Sequence, residues 1–144
     1  MFAALCDDDK YITEEIKKLL LEYAKDNRIT IDIDEFESGE ELLNSEKNYD
    51  IIVLDYQLGI TDGLTVAKEL RKRNVLSSII FLTSYPNFMI DAFEVNTFRF
   101  LLKPIDKSKF FKAIDDYIKI VDANYPITII QNKELKKINS NEIC

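Results

Sequence analysis

The sequence predicts an α/β protein built on a doubly wound parallel sheet, and three observations support this prediction. Five runs of strand length alternate with five helical segments along the 144 residues. The connections between them are only a few residues long, which is typical of parallel strands with helices on both faces. Three of the runs are apolar throughout their centres, as expected for strands covered on both sides. Right-handed crossovers then restrict the topology to a doubly wound sheet.

The five predicted strands differ in how deeply they should be buried. The continuous apolar runs FAALC (2–6), DIIVLD (50–55) and SIIFLTS (78–84) predict strands that are buried on both faces. Residues 29–36 (ITIDIDEF) instead alternate isoleucine with polar residues, so this strand should have a wetter side near an edge of the sheet. Residues 97–104 (TFRFLLKP) form the last predicted strand.

The segments between the strands carry helix signals. The first helix has apolar residues at helical spacing with charged residues between them. Ser38 and Glu41 form a capping box that opens a short second helix. Asp62 and Asp106 are the predicted N-caps of the third and fifth helices. Pro86 stands near the first turn of a short fourth helix, where its missing N–H costs little.

Composition excludes several classes of function. The sequence contains no histidine, which removes Ser/His/Asp and Cys/His catalysis as well as histidine zinc sites. Its net charge of -7 argues against a general surface that grips nucleic acid. No apolar run is long enough to cross a bilayer and the start lacks the features of a signal peptide, so we expect a cytoplasmic protein without membrane contact. Cys6 and Cys144 show no metal or disulfide spacing.

Four of the five predicted strands end beside polar or charged side chains that can bind an ion or react. Asp7 and Asp8 follow the first strand, and the third, fourth and fifth strands end near Asp55, Thr83 and Lys103. Ligands of doubly wound sheets bind outside the carboxyl ends of the strands, so we expect these groups to share one rim. Three carboxylates beside one lysine would have raised pKa values unless a cation were bound.

The sequence therefore predicts a divalent cation at this rim. Its hard oxygen ligands favour Mg²⁺, and Mn²⁺ could substitute. Asp55 beside such an ion can act as the nucleophile that accepts a phosphoryl group. Lys103 would then neutralise phosphoryl charge while the hydroxyl of Thr83 donates to a phosphoryl oxygen. Asp9, the third carboxylate of the DDD run, is better explained as a helix cap.

Taken together, these motifs resemble the receiver domains of bacterial two-component response regulators. The likeness rests on CDDD after the first strand, VLDYQLGITDG around Asp55, FLTS at the fourth strand and LLKP after the fifth. It spans about residues 2–122 and implies a flavodoxin-like receiver fold with strand order 2-1-3-4-5, in a receiver domain of residues 1–123. The family is a group of signalling phosphoacceptors rather than enzymes, with at most slow autophosphorylation from small donors and slow autodephosphorylation.

The resemblance also implies a set of metal ligands around the phosphoacceptor. Asp55 matches the residue that receives the phosphoryl group. Asp7 and Asp8 match the acidic pair that holds Mg²⁺, and Asp8 is favoured as the direct ligand. The backbone carbonyl of Gln57 would complete the protein ligands.

Three further positions match the residues that sense and transmit phosphorylation in this family. Thr83 matches the switch hydroxyl and Phe100 the aromatic switch. Lys103 matches the family's lysine, which is joined to the following residue, here Pro104, by a cis peptide. Phosphorylation draws the hydroxyl towards the phosphate and turns the aromatic ring inward, which remodels the face formed by the fourth helix, the fifth strand and the fifth helix.

Finer features resemble the receivers of LytTR-type (LytR/AlgR/AgrA-type) transcriptional regulators, notably SYPNFMIDAFEVNTFRFLLKPID. We expect residues 124–144 to hold a linker and the start of a truncated LytTR-type DNA-binding domain; a bare linker on a stand-alone receiver is the alternative. The implied partners are a sensor histidine kinase, a second copy of the chain after phosphorylation, and DNA only through the missing domain.

Two other classes of function stay open. A phosphohydrolase of the haloacid-dehalogenase type also uses an aspartyl nucleophile after a strand, but it requires a second acid two residues later, where Gln57 stands. A phosphorylation-independent interaction module would keep the receiver fold alone. The complete set of acids with Lys103 argues against that reading.

Overall fold

A computed structural model describes residues 1–59 and 61–124 of the chain. In chain order its helices and strands are β1 (Phe2–Cys6), α1 (Lys10–Asn27), β2 (Asp32–Phe36), α2 (Gly39–Asn44), β3 (Ile51–Asp55), α3 (Gly63–Lys72), β4 (Ser78–Thr83), α4 (Met89–Ala92), β5 (Arg99–Leu102) and α5 (Lys107–Asn124). A two-residue antiparallel ladder, Gln57–Leu58 with Thr61–Asp62, precedes α3. Single 3₁₀ turns, Pro86–Phe88 and Phe93–Val95, flank α4.

The five main strands form one parallel sheet in the order β2-β1-β3-β4-β5. This confirms the predicted doubly wound, flavodoxin-like topology. The chain leaves β1 towards one edge for β2 and returns to the other side of β1 for β3. The order therefore reverses between β1 and β3, and the carboxyl ends of these two strands carry the predicted acidic residues.

Burial along the strands follows the hydrophobic pattern. β3 is buried along its whole length, and residues 3–6 of β1 and residues 79–83 of β4 are buried as well. β2 is only partly covered and forms an edge of the sheet. The prediction that this strand is the wetter one is confirmed, and its charged side chains also discourage edge-to-edge pairing with other molecules.

Helices cover the sheet on both faces. α1 packs on β1 through buried residues that include Ile16 and Leu20. On the opposite face α2, α3 and the segment around α4 bury one continuous cluster with the strands, to which they contribute Leu42, Val66 and Val95. This cluster fixes the positions of the strand ends that build the site.

The predicted helix caps are confirmed, since each of the three residues accepts a hydrogen bond from a backbone N–H in the first turn of its helix. The side-chain oxygen of Asp62 accepts a hydrogen bond from the backbone N–H of Thr65 at 2.7 Å. Ser38 does the same for Glu41 at 3.1 Å, and Asp106 for Ser108 at 2.9 Å. These bonds satisfy N–H groups that a helix start otherwise leaves without partners.

The fourth helix is less regular than the sequence suggests. Residues 86–95 form a 3₁₀ turn, the single α turn of α4 and a second 3₁₀ turn. Ala92 and Val95 are the buried residues of this stretch. Because most helical stability in proteins comes from packing an apolar face, two buried residues support only a short ladder of α-helical bonds.

The chain divides into two compact units, Met1–Phe111 and the part from Lys112 onward. The first unit contains the whole sheet, α1 to α4 and the start of α5. The second begins inside α5, which runs to Asn124. The predicted tail of residues 124–144 lies beyond the described residues except for Asn124, so the boundary after residue 123 stays a prediction.

None of the helices found in residues 1–59 and 61–124 is both long enough and apolar enough to cross a bilayer.

Candidate functional site

The carboxyl ends of β1 and β3 bring three carboxylates together. One carboxylate oxygen each of Asp7, Asp8 and Asp55 lie within 4.8 Å of one another. Asp7 and Asp55 are each 4 % exposed, whereas Asp8 lies in solvent. Two buried acids and one exposed acid thus form a cluster that a cation can reach from solvent through Asp8.

Local hydrogen bonds aim Asp7 into the site. Its backbone N–H donates to the carbonyl of Phe36 at 3.1 Å, which extends the sheet by one residue. Its Oδ1 accepts from the N–H of Asp9 at 2.9 Å. Asp9 itself caps α1 by accepting from the N–H of Tyr11 at 2.9 Å. The prediction that Asp9 is a helix cap is confirmed. Of the three acids in the DDD run, Asp7 and Asp8 therefore remain for the rim.

Lys103 joins the rim from β5. Its Nζ lies 3.4 Å from Oδ2 of Asp7 and 3.3 Å from Oδ1 of Asp55. Its backbone N–H donates to the carbonyl of Thr83 at 2.7 Å, which fixes the start of the loop after the strand. The peptide bond between Lys103 and Pro104 is cis, as the resemblance implied.

The loop after Asp55 is held by backbone contacts. The N–H of Tyr56 donates to the carbonyl of Leu82 at 2.9 Å, and the carbonyl of Tyr56 accepts from Gly63 at 2.6 Å. The N–H of Gln57 donates to Oδ1 of Asp55 at 3.3 Å, which places the backbone of Gln57 beside the carboxylate. The loop therefore folds back over the strand end and limits the movement of Asp55.

The two switch candidates lie at different depths. Thr83 ends β4 with 1 % exposure, and its Oγ1 accepts a hydrogen bond from the N–H of Tyr85 at 3.1 Å. Phe100 lies further back along β5, opposite Phe81 in the strand register, and its half-buried ring packs against the core cluster. The structure thus brings Thr83 to the rim and leaves Phe100 in the body of the sheet.

The electrostatics of the rim show a shortage of positive charge. Burial, with the nearby Asp7, raises the pKa of Asp55 from 3.8 to about 6, although Lys103 opposes the shift. Burial also raises the pKa of Asp7. The pKa of Lys103 is raised, because its attraction to Asp55 and Asp7 outweighs the opposite effect of burial. A bound cation would remove the conflict between the buried carboxylates.

This conflict predicts a pH-dependent stability in buffer without divalent cations. Folded Asp55 binds its proton more tightly than the unfolded chain does, so the free energy of unfolding falls as pH rises from about 4 to about 6. The loss is about 3 kcal/mol, since roughly two pH units at about 1.4 kcal/mol each are involved. Asp55→Asn should remove this loss, so urea unfolding should show the variant gaining stability over the parent chain between pH 4 and pH 7.5.

A control for this prediction is Asp26→Asn, which changes an exposed carboxylate near the end of α1. It removes one negative charge without changing the rim, so it measures how far the loss of an exposed charge alone alters stability at each pH. An Asp55→Asn difference with the same pH dependence would show that burial does not perturb the carboxylate of Asp55.

Sequence reasoning missed two residues around the phosphoacceptor candidate. Gly63 has no room for a side chain, because a Cβ there would overlap the backbone carbonyl oxygen of Asp55 and lie 3.0 Å from Cα of Tyr56. The Asp-Gly pair at 62–63 could have indicated a close approach. Tyr56 is buried and stacks on Phe88, a contact between distant segments that no local pattern encodes.

Comparison with known proteins identifies the class to which this fold and site belong. Residues 3–115 match the model of the response regulator receiver domain, and the chain therefore belongs to this family. The resemblance inferred from the sequence is confirmed. A receiver domain is a signalling module, so the phosphohydrolase alternative is set aside.

The most informative relatives are sensory transduction proteins. The chain is 33% identical to LytT of Bacillus cereus over 83% of this chain and 48% of that protein. It is 32% identical to LytR of Staphylococcus epidermidis over 80% of this chain and 45% of that protein. The chain thus spans about half the length of the curated relatives it matches.

Solved structures support the fold. The chain covers 97% of the response regulator TrrA of Thermotoga maritima in complex with Mg²⁺-BeF, with 28% identity, a TM-score of 0.70 and 81% of this chain aligned. It covers 100% of the response regulatory domain of mrkE from Klebsiella pneumoniae, with a TM-score of 0.76, 20% identity and 86% of this chain aligned. The second likeness is one of fold alone.

Proposed function

We propose that Asp55 accepts a phosphoryl group from a sensor histidine kinase in a Mg²⁺-dependent reaction. One observation carries the proposal. The carboxylate of Asp55 is buried at the reversal of strand order, with Lys103 Nζ at 3.3 Å and two further carboxylates within 4.8 Å. Burial of a carboxylate beside other carboxylates destabilises the fold. Binding of a cation and of an anionic group would explain why the site retains it.

The phosphoryl transfer is a displacement at phosphorus. A carboxylate oxygen of ionised Asp55 forms the new P–O bond. The P–N bond to the kinase histidine breaks, and the leaving imidazole takes a proton from water. With a small donor such as acetyl phosphate, the bond that breaks is P–O and acetate leaves.

The residues at the rim fit Mg²⁺. Their donors are carboxylate oxygens, two of them buried beside a single lysine, and this is the hard, negative environment that Mg²⁺ prefers. Asp7, Asp8, Asp55 and the backbone carbonyl of Gln57 would hold the ion, and Mn²⁺ could replace it. When bound, the ion would neutralise charge on the phosphoryl oxygens. Lys103 would neutralise a further part of that charge, and the hydroxyl of Thr83 would donate to a phosphoryl oxygen.

Phosphorylation would then act on the surface beside the site. Turning the hydroxyl of Thr83 to the phosphoryl group competes with the bond it accepts from Tyr85. We expect the half-buried ring of Phe100 to turn inward with this change. The resemblance implies a change on the face formed by the fourth helix, the fifth strand and the fifth helix. Within the unit Met1–Phe111, the exposed apolar residues of β5 and of the segment around α4 are Tyr85, Met89, Ile90, Phe93 and Leu102. An apolar patch of this kind favours association with a second copy of the chain after phosphorylation.

The longer relatives suggest what this surface would control. LytT and LytR are about twice as long as the matched region, so we place an output domain after the receiver in the full-length protein. A LytTR-type domain there would make any contact with DNA, while the receiver would set its dimeric state. Because a histidine kinase uses ATP, we expect the protein in the cytoplasm.

Removal of metal tests the chemistry directly. Incubation with acetyl phosphate and Mg²⁺ should add one phosphoryl group, seen as a single adduct by intact-protein mass spectrometry. With EDTA the rate should fall at least about tenfold, because two buried carboxylates then repel the incoming anion. Asp55→Asn is the control for the site of attachment.

Two outcomes would contradict the proposal. A chain that binds Mg²⁺ by calorimetry but never gains an adduct would be a phosphorylation-independent interaction module. An adduct that forms equally fast with EDTA would show that phosphorylation does not require a cation bound at the acidic rim.

A further inference from the structure

The segment of residues 84–91, which follows β4, contacts the body of the protein mainly through the ring of Phe88, with one long hydrogen bond of 3.5 Å from the hydroxyl of Tyr56 to Oδ2 of Asp91. Every residue from Ser84 to Asp91 is exposed except Phe88, which is half-buried. Few backbone hydrogen bonds hold this segment in its conformation, since its regular structure consists of a 3₁₀ turn and a single α turn. Its position is therefore set mainly by what Phe88 contacts.

Phe88 stacks on the residue next to the phosphoacceptor candidate. Its ring lies parallel to that of Tyr56, with centroids 4.2 Å apart and 5° between the planes. Tyr56 is 5 % exposed and is backed by Phe81 at 5.6 Å. Tyr56 cannot follow the segment outward, because hydrogen bonds at both ends of its residue tie its backbone to Leu82 and Gly63.

The opposite end of the helical stretch is anchored differently. The guanidinium group of Arg71 on α3 donates to the carbonyl of Val95 at 2.7 Å and to that of Asn96 at 3.2 Å. Thr97 donates through its hydroxyl to the carbonyl of Ala92 at 2.6 Å. This end has both buried residues and charge-assisted hydrogen bonds, so it can stay in place while residues 84–91 move.

Thr83 connects the two systems. Its Oγ1 accepts from the N–H of Tyr85, and the ring of Tyr85 contacts the edge of Phe88 with centroids 5.8 Å apart. A hydroxyl that turns away to meet a phosphoryl group gives up the Tyr85 bond. The described contacts that still hold residues 84–91 against the core are then both made by Tyr56: its stack on Phe88 and its long hydrogen bond to Asp91.

We infer that the Tyr56–Phe88 stack is a latch that holds residues 84–91 in the resting position and sets how readily phosphorylation rearranges this surface. The inference rests on the proposed function of Asp55, and it makes Tyr56 and Phe88 positioning residues. Release of the latch swings the segment about the anchor at Arg71 and repositions the exposed side chains of Met89 and Ile90.

Phe88→Leu tests the latch, because leucine keeps an apolar contact and loses the stack. Linkage requires that a change which weakens the resting state strengthens binding of whatever favours the released state. An aromatic pair accounts for a change of about threefold to tenfold. The variant should therefore bind beryllofluoride with Mg²⁺, a mimic of the phosphoryl group, about threefold to tenfold more tightly than the parent chain.

Matched variants separate this role from general loosening of the fold. Phe2→Leu makes the same change on a ring that is 48 % exposed, at the end of β1 away from the rim, and should leave the affinity unchanged. Tyr56→Phe retains the stack and removes only the hydrogen bond to Asp91, which at 3.5 Å is too long to contribute much, so this variant should behave like the parent chain. Tyr56→Leu should match Phe88→Leu, and the double variant should add nothing to either single change.

Hydrogen exchange gives a readout that does not depend on phosphorylation. In Phe88→Leu the amides of residues 85–91 should exchange faster, whereas those of residues 93–97 should keep the parent rate. If the parent chain takes up neither phosphoryl group nor beryllofluoride, the proposed function fails and the exchange pattern alone decides on the latch. If it takes up both and Phe88→Leu changes neither affinity nor exchange, the latch is wrong.

Discussion

Asp55→Asn should abolish phosphoryl uptake completely. Asparagine has almost the same shape as aspartate and retains an oxygen that can accept from the N–H of Gln57, so the rim should keep its structure. Its amide carries no negative charge and is not a nucleophile that forms a stable phosphoryl ester. Intact-protein mass spectrometry after incubation with acetyl phosphate and Mg²⁺ should show the parent mass alone.

Asp62→Asn is the matched control. Asp62 is an exposed carboxylate seven residues further along, and asparagine can replace aspartate as the N-cap of α3. This variant should gain one phosphoryl group at the parent rate. An adduct of full stoichiometry on Asp55→Asn would mean that another residue is the acceptor, and peptide mapping would locate it.

Gly63→Ala should destabilise the fold strongly. The new Cβ would overlap the backbone carbonyl oxygen of Asp55 and lie 3.1 Å from its carbonyl carbon. A backbone that is hydrogen-bonded on both sides cannot move away without breaking the contacts of β3 and β4. We expect a loss of about 2–3 kcal/mol in the free energy of unfolding, measured by urea titration, which is within the range for overpacked sites.

The folded fraction of Gly63→Ala should also be phosphorylated more slowly, because the displaced carbonyl belongs to the phosphoacceptor candidate. Gly39→Ala provides a control of the same kind, since Gly39 is likewise the first residue of its helix and is buried. There the added Cβ meets a methyl group of Val66, which is buried and β-branched and therefore also resists displacement. We expect a loss of about 1–3 kcal/mol with an unchanged phosphorylation rate, because the contact does not involve Asp55. Equal slowing of phosphorylation in the two variants would show that the contact with Asp55 is not the cause.

The positions of the acidic residues were predictable because they depend on topology. Once the apolar runs indicate parallel strands, Asp7, Asp8 and Asp55 must leave the same edge of the sheet, whatever the details of packing. The resemblance of the motifs to receiver domains added the order of the strands and the cis peptide before Pro104. The family match and the sheet confirm the class and the fold, whereas the roles of the individual site residues await the experiments above.

The fourth helix shows where local patterns give less. Residues 86–95 have a plausible helical composition with a proline at the start, yet α4 comprises only Met89–Ala92. α4 is short because few residues of this stretch are buried in the core. Which residues are buried depends on packing partners that are far away in the sequence.

The sequence by itself determined the fold class, the common rim of the acids with Lys103, and the helix caps, because these follow from hydrophobic period, short-range hydrogen bonding and the handedness of parallel connections. Only the tertiary structure decided that Lys103 bridges Asp7 and Asp55, that Gly63 presses on the backbone of Asp55, and that Tyr56 stacks on Phe88. Each of these contacts joins residues that are not neighbours in the sequence, so the distance between the contacting atoms is set by the packing of the whole core.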